Sequence, residues 1–185
     1  MGLLCLAAGC SSPDADPLGH LQRWTVDPDP WLVIGRLEGD SAYLFQSISG
    51  AFLGPDGLVV VADRGPGLIR VYHSDGGFVR QMGGSGEGPG EFAFLRSIWR
   101  VPPDTLGAWD SDSMRLTYFT IDGELVRTVA LKPSLESAGL GRLDLFVGPL
   151  AGGAVAVGSI TAGSPEGTGR DRISVERFGP TGAHR

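Results

Sequence analysis

Leu58-Val59-Val60-Val61-Ala62-Asp63 is an apolar run that ends on a single carboxylate. A glycine-rich turn follows, then Leu68-Ile69-Arg70-Val71-Tyr72, Asp75-Gly76 and Phe78-Val79-Arg80. Forty-seven residues on, the same order returns. Asp110 stands for Asp63, Phe119 for Tyr72, Asp122-Gly123 for Asp75-Gly76, and Leu125-Val126-Arg127 for Phe78-Val79-Arg80. Ahead of the run, Pro55-Asp56 is matched by Pro102-Pro103-Asp104 with a slip of one residue. Self-similarity at this period marks a repeat architecture, in which each unit buries its apolar faces against its neighbours.

Within a unit, the continuously apolar runs predict strands buried on both faces. The Asp-Gly pairs predict hairpin turns, because glycine takes positive φ without a Cβ clash. Four short antiparallel strands per unit of 40 to 50 residues describe a β-propeller blade; a single β-sandwich is the competing architecture. A looser third copy runs from Leu145-Phe146-Val147 through Ala154-Val155-Ala156-Val157-Gly158 to Ile173-Ser174-Val175-Glu176-Arg177-Phe178. Gly182 lies four residues after Phe178, as Gly123 does after Phe119 and Gly76 after Tyr72. Phe178 stands 59 residues past Phe119, so the third copy holds about twelve extra residues. By composition they fall in the loop Gly163-Ser164-Pro165-Glu166-Gly167-Thr168-Gly169.

Composition agrees with an all-β chain. Of 185 residues, 30 are Gly and 13 are Pro, together well above the usual share of roughly 12%. The mean hydropathy of +0.06 and the Val/Leu/Ile runs argue against disorder. Charged residues are only 19%, and no long Glu/Lys/Ala-rich stretch exists to build a helical bundle or coiled coil. Of the 15 basic residues only Lys132 is a lysine, the arginines are scattered, and the net charge is −6. No basic stripe is present to neutralise phosphates, so nucleic acid is not an expected partner.

The chain opens Met1-Gly2-Leu3-Leu4-Cys5-Leu6-Ala7-Ala8-Gly9-Cys10-Ser11-Ser12. An apolar run ending in Ala8-Gly9-Cys10 resembles a bacterial lipobox, and the resemblance implies cleavage before Cys10 and lipid on its thiol. The run is short and no Lys or Arg precedes it, which reads as a start assigned downstream of the true one. We therefore expect a truncated lipoprotein signal over 1–10, a flexible Ser/Pro/Asp tether over 11–23, and an exported, membrane-anchored protein of the cell envelope. Loss of Cys5 and acylation of Cys10 would leave no free thiol for a disulfide, a zinc site or thiol catalysis. Trp24-Thr25-Val26 and Trp31-Leu32-Val33-Ile34-Gly35 predict a strand pair within 24–42. Three blades then occupy about 43–90, 91–140 and 141–185.

Gly83-Gly84-Ser85-Gly86-Glu87-Gly88-Pro89-Gly90-Glu91-Phe92 superficially suggests a phosphate loop. Such a loop opens a helix and ends in Lys-Ser/Thr; here Pro89 interrupts, no such pair follows, and Phe92-Ala93-Phe94-Leu95 leads into a strand. The segment reads instead as an inter-blade connector whose glycines allow close passage and whose Phe92 plugs between blades. Gly86, Gly88, Pro89, Gly90 and Phe92, followed by an apolar strand and combined with Val61-Ala62-Asp63, resemble the NHL-type repeat. More narrowly, they resemble the six-bladed β-propeller lipoproteins of bacteria. The resemblance covers about residues 43–185 and implies six blades, so the expectation is a partial propeller, an open arc of three blades and a fragment of a longer gene product.

Asp63 and Asp110 are the strongest repeated polar positions. They would either face a central channel and hold a cation or polar ligand, or cap the following turn by Asx hydrogen bonds. Repetition at blade period favours the capping role, since a catalytic group is needed once. His20, His73 and His184 show no metal-ligand spacing, and no serine lies in a nucleophile elbow. Trp24, Trp31, Trp99 and Trp109 fall in apolar strands and read as core rather than sugar platforms. No catalytic or metal residue is assigned within these residues, and the cofactor is unknown. The expected function is binding of a protein or small-molecule ligand, with the membrane reached only through the lipid. The alternative is a metal-dependent hydrolase or lyase, lactonase-like, with its channel site in blades beyond this chain.

Overall fold

The computed structural model describes residues 25–132, 145–150, 155–161 and 172–183. The chain divides into two units, Met1–Trp31 and Leu32–Arg185. In the first, Thr25 and Val26 belong to no strand. Pro28 and Pro30 lack the N–H a ladder needs, and the Asp29 N–H turns back to Asp27 Oδ1 at 3.1 Å. Leu32–Gly35 of the second unit form no strand either, so the predicted pair within 24–42 is corrected to irregular chain. The segment over 1–23 and the loop Gly163–Gly169 lie outside the described residues.

Among its described residues the second unit is all-β apart from two single 3-10 turns, Ser41–Tyr43 and Pro55–Gly57. Strands β1 (Ile48–Leu53), β2 (Val59–Asp63), β3 (Leu68–Tyr72) and β4 (Phe78–Gly83) pair in chain order as one antiparallel sheet. Strands β5 (Leu95–Val101), β6 (Thr105–Asp110), β7 (Arg115–Thr120) and β8 (Leu125–Ala130) form a second. β9 (Leu145–Pro149), β10 (Val155–Thr161) and β11 (Arg172–Phe178) form a third, three-stranded among the described residues.

The 47-residue period extends to the irregularities. A bulge falls between Ile48 and Gly50 opposite β2, and again between Leu95 and Ser97 opposite β6. A second bulge sits at Val71/Tyr72 and recurs at Tyr118/Phe119. Gly67 (φ 66°) and Met114 (φ 50°) hold the same left-handed turn position, and Gly76 (φ 89°) and Gly123 (φ 94°) hold another. Bulges re-aim a strand at a defined rung, so their recurrence means the two sheets curve alike. In the third sheet Val155 pairs with Phe178 as Leu106 pairs with Phe119. Gly182 closes the turn after β11 at φ 80°, its N–H reaching Gly179 O at 2.9 Å. That register places Ser159 on the rung of Asp110, and the β10–β11 ladder continues two rungs further, to Thr161↔Arg172.

The sheets stack face to face. Val60, Ala62, Ile69, Val71 and Met82 of the first meet Leu95, Leu106, Ala108 and Phe119 of the second, with Phe92 between. On its other face the second sheet sets Trp99, Trp109, Leu116 and Tyr118 against Val155, Val157 and Phe178 of the third. A middle sheet covered on both sides explains why β6 is apolar between Thr105 and Asp110: Leu106, Ala108 and Trp109 are all fully buried. A fully buried leucine such as Leu106 contributes about 1.5–3 kcal/mol by leaving water. The free face of the first sheet is covered in part by the chain entering it. The Tyr72 hydroxyl donates to Ala42 O at 2.6 Å, and the rings of Tyr43 and Phe45 lie 5.9 and 6.2 Å from its own. Burial pushes the Tyr72 hydroxyl up to about 12.

Candidate functional site

The repeated carboxylates end β2 and β6, and both are fully buried. Asp63 accepts from the N–H groups of Ser47 (2.9 Å) and Gln46 (3.2 Å) and from Arg70 Nη1 (2.9 Å). Asp110 accepts from the N–H groups of Ala93 (2.8 Å) and Phe94 (3.2 Å), which stand 47 residues after Gln46 and Ser47. It also accepts from the N–H groups of Asp112 and Ser113 and from the Ser113 hydroxyl, each at 3.0 Å. The expected Asx capping of the following turn is therefore present at Asp110. Asp63 shows instead the contact common to both: each carboxylate pins the chain entering the first strand of its own sheet. Burial alone would raise the Asp63 carboxyl, but the Ser47 N–H, the Arg70 guanidinium and the Gln46 N–H outweigh it and hold it below the usual value of 3.8.

The connector from β4 to β5 is built on its glycines. The Glu91 carboxylate folds back over it and accepts the Gly88 N–H at 2.9 Å. A Cβ on Gly86 would lie 2.1 Å from that carboxylate. Pro89 leads into Gly90, which is buried at φ 80°. Phe92 reaches the core between the first two sheets, 6.3 Å from the Phe119 ring. Arg115 on β7 ties the connector down, donating to Glu87 O at 2.7 Å and Glu91 O at 3.1 Å. Sequence reasoning passed over Arg115 because its counterpart one unit earlier is Leu68, so periodicity carries no signal for it. Gly76 and Gly123 sit in the hairpin turns at the opposite ends of their strands.

These parts frame a polar cleft of about 410 Å³ lined by Glu87, Ala93, Asp112, Ser113 and Arg115. Beside it on the β5 entry, the Phe94 ring carries the guanidinium groups of Arg64 at 4.9 Å and Arg96 at 5.9 Å. The cleft offers carboxylates, a hydroxyl and guanidinium groups, which suits recognition by hydrogen bonds. The deepest carboxylate, Asp110, already accepts five hydrogen bonds, four from backbone N–H groups and one from the Ser113 hydroxyl. Among the described residues no three His, Cys, Asp or Glu side chains are grouped to hold a metal. His73 lies exposed in a turn, Trp99 and Trp109 are buried, Trp31 is exposed and not the core residue expected, and Cys10, His20, Trp24 and His184 lie outside the described residues.

No family model and no curated protein matches the chain. Among solved structures, it is similar to a predicted exported protein of Bacteroides fragilis, with a TM-score of 0.54 and 18% identity over 77% of this chain and 38% of that one. A protein of unknown function from Bacteroides caccae aligns at a TM-score of 0.41 and 17% identity, over 74% of this chain and 65% of that one. The chain thus spans less than two thirds of the length of either. At such identity the likeness to the Bacteroides fragilis protein speaks for the fold alone: an all-β chain of antiparallel sheets.

Proposed function

We propose that this chain is part of an exported, lipid-anchored β-propeller of the NHL-like type, and that it binds a protein or small molecule without transforming it. The observation that carries the binding reading is the state of the two repeated carboxylates: both are buried and spent on structure, while the polar cleft beside Asp110 stays open. The bulge-for-bulge repeat supports blades, and six would be the intact number if the NHL-like resemblance holds. Export is supported by the Ala8-Gly9-Cys10 sequence and by the predicted export of the Bacteroides fragilis protein of similar fold.

Two measurements on the full-length gene product test this reading. Radiolabelled palmitate should enter the protein and be lost with Cys10→Ala, which should also move it from the membrane to the soluble fraction. Purified protein should carry no stoichiometric divalent metal and should not hydrolyse lactones or esters. Label that survives Cys10→Ala would overturn the anchor, and metal-dependent hydrolysis would replace binding with the lactonase-like alternative.

A further inference from the structure

At the turn ends opposite the polar cleft, the second and third sheets enclose a hollow of about 320 Å³. Its walls include Trp99, Tyr118, Pro149 and Leu150, with Arg100 and Arg127 on its lining. The aromatic corner is set before any ligand arrives. Trp99 lies flat on Gly107, its partner across the ladder, where a Cβ would stand 2.3 Å from the indole ring. The Tyr118 ring meets Trp99 edge-on, with centroids 6.0 Å apart at 87°. The Arg127 guanidinium lies 4.5 Å over the Tyr118 ring. Neither Arg100 nor Arg127 has a carboxylate partner among the described residues.

The repeat explains why charge is left over here. Arg80 occupies the position of Arg127 one unit earlier, and it is paired with Asp122 from the hairpin turn of the next sheet. In that earlier cleft Ile121 packs against the core as well. The matching turn of the third sheet, aligned by its hydrogen bonds at Gly179 and Gly182, carries Pro180 and Thr181 at those two positions. The acid is gone and the apolar plug is smaller. What remains is an apolar, aromatic-walled hollow whose two guanidinium groups meet no carboxylate among the described residues.

We propose that this hollow binds a small aromatic carboxylate, its ring against Trp99 and Tyr118 and its carboxylate on Arg100 and Arg127. A hollow of this size, mostly apolar with a few convergent polar groups, suits a ligand of one or two rings. Guanidinium groups are well shaped to take a carboxylate through paired N–H donors. This deepens the binding reading above and rests on it for the chain being a binder.

The test is calorimetric titration of the full chain with 2-naphthoate and with its uncharged amide, 2-naphthamide. Naphthoate should bind saturably at one site and tighter than the amide. Arg127→Gln and Arg100→Gln should each weaken it about tenfold or more, the effect of losing one charged hydrogen bond. Thr181→Asp, which restores the acid of the earlier cleft, should weaken it likewise while leaving the amide unchanged. All three positions are exposed, so the variants should melt like the parent. Equal binding of the two probes, or variants that bind naphthoate as the parent does, would overturn the proposal. So would no binding of either probe, an outcome that leaves the binding reading standing on the polar cleft. Metal-dependent hydrolysis would sink that reading without touching the naphthoate result.

Discussion

Asp63 and Asp110 occupy the same rung of successive sheets, yet their charge is met in different ways. Both take two N–H groups from the chain entering their own sheet. Beyond that, Asp63 is neutralised at hydrogen-bond distance by a buried arginine, Arg70, while Asp110 gathers the turn of Asp112 and Ser113 and has the Arg115 guanidinium only at 3.9 Å. The position of Arg70 is held by Thr117 in the second sheet and Glu176 in the third, both buried. The shared contact is therefore the one the architecture needs, pinning the first strand, and the remaining partners are interchangeable solutions to burying a carboxylate.

The largest expected effect breaks the arginine solution. Asp63→Ala should cost about 3–5 kcal/mol in denaturant unfolding, because it strands Arg70 in a buried site. Adding Arg70→Met should recover part of that loss, whereas the same methionine in an Asp110→Ala background should recover nothing. The pH dependence has a defined sign. The Asp63 carboxyl is lowered on folding, so its contribution is complete above the ordinary value of 3.8 and is lost as pH falls through its lower folded value. A urea midpoint followed from pH 6 downward should fall across that acidic range, and by less in the Asp63→Ala/Arg70→Met protein.

A second comparison concerns Gly107, whose counterpart in the first sheet is Val60. Gly107→Ala drives a Cβ into the Trp99 ring and should cost about 1–3 kcal/mol by overpacking. At the paired turn glycines, Gly76→Ala and Gly123→Ala should each cost about 1–2 kcal/mol, the strain of a left-handed alanine. Gly76 should cost slightly more, since its Cβ would meet Leu32 Cδ1 at 3.2 Å whereas Gly123 has only the flexible ends of Arg80 and Met82 at 3.9 Å. The smallest effect belongs to Asp122→Asn. Its pair with Arg80 is exposed, and thermal melts should move by no more than about 0.2–1 kcal/mol.

Much of the strand order was legible because a sheet buried on both faces writes itself as unbroken apolar runs, and Asp-Gly turns punctuate them. Asp63 and Asp110 stood out for the same reason, as lone charges at the ends of those runs. Their actual partners did not, since Gln46, Ser47, Ala93 and Phe94 lie 16 or 17 residues upstream and act through backbone N–H groups that any side chain could carry. Trp31-Leu32-Val33-Ile34 misled in the opposite direction: its residues suit a strand, but propensity cannot supply a partner strand. The hollow beside Trp99 was invisible too, because Trp99, Tyr118 and Pro149 come together only once the second and third sheets pack.

The central claim is that residues 48–83 and 95–130 are one structural unit used twice. Cross-strand nuclear Overhauser contacts in the isotopically labelled protein test it directly. The account predicts one contact set repeated at an offset of 47 residues, with Gly50–Ala62 reappearing as Ser97–Trp109 and Tyr72–Phe78 as Phe119–Leu125. Helical contacts in either stretch, or a second sheet whose register departs from that offset, would contradict it.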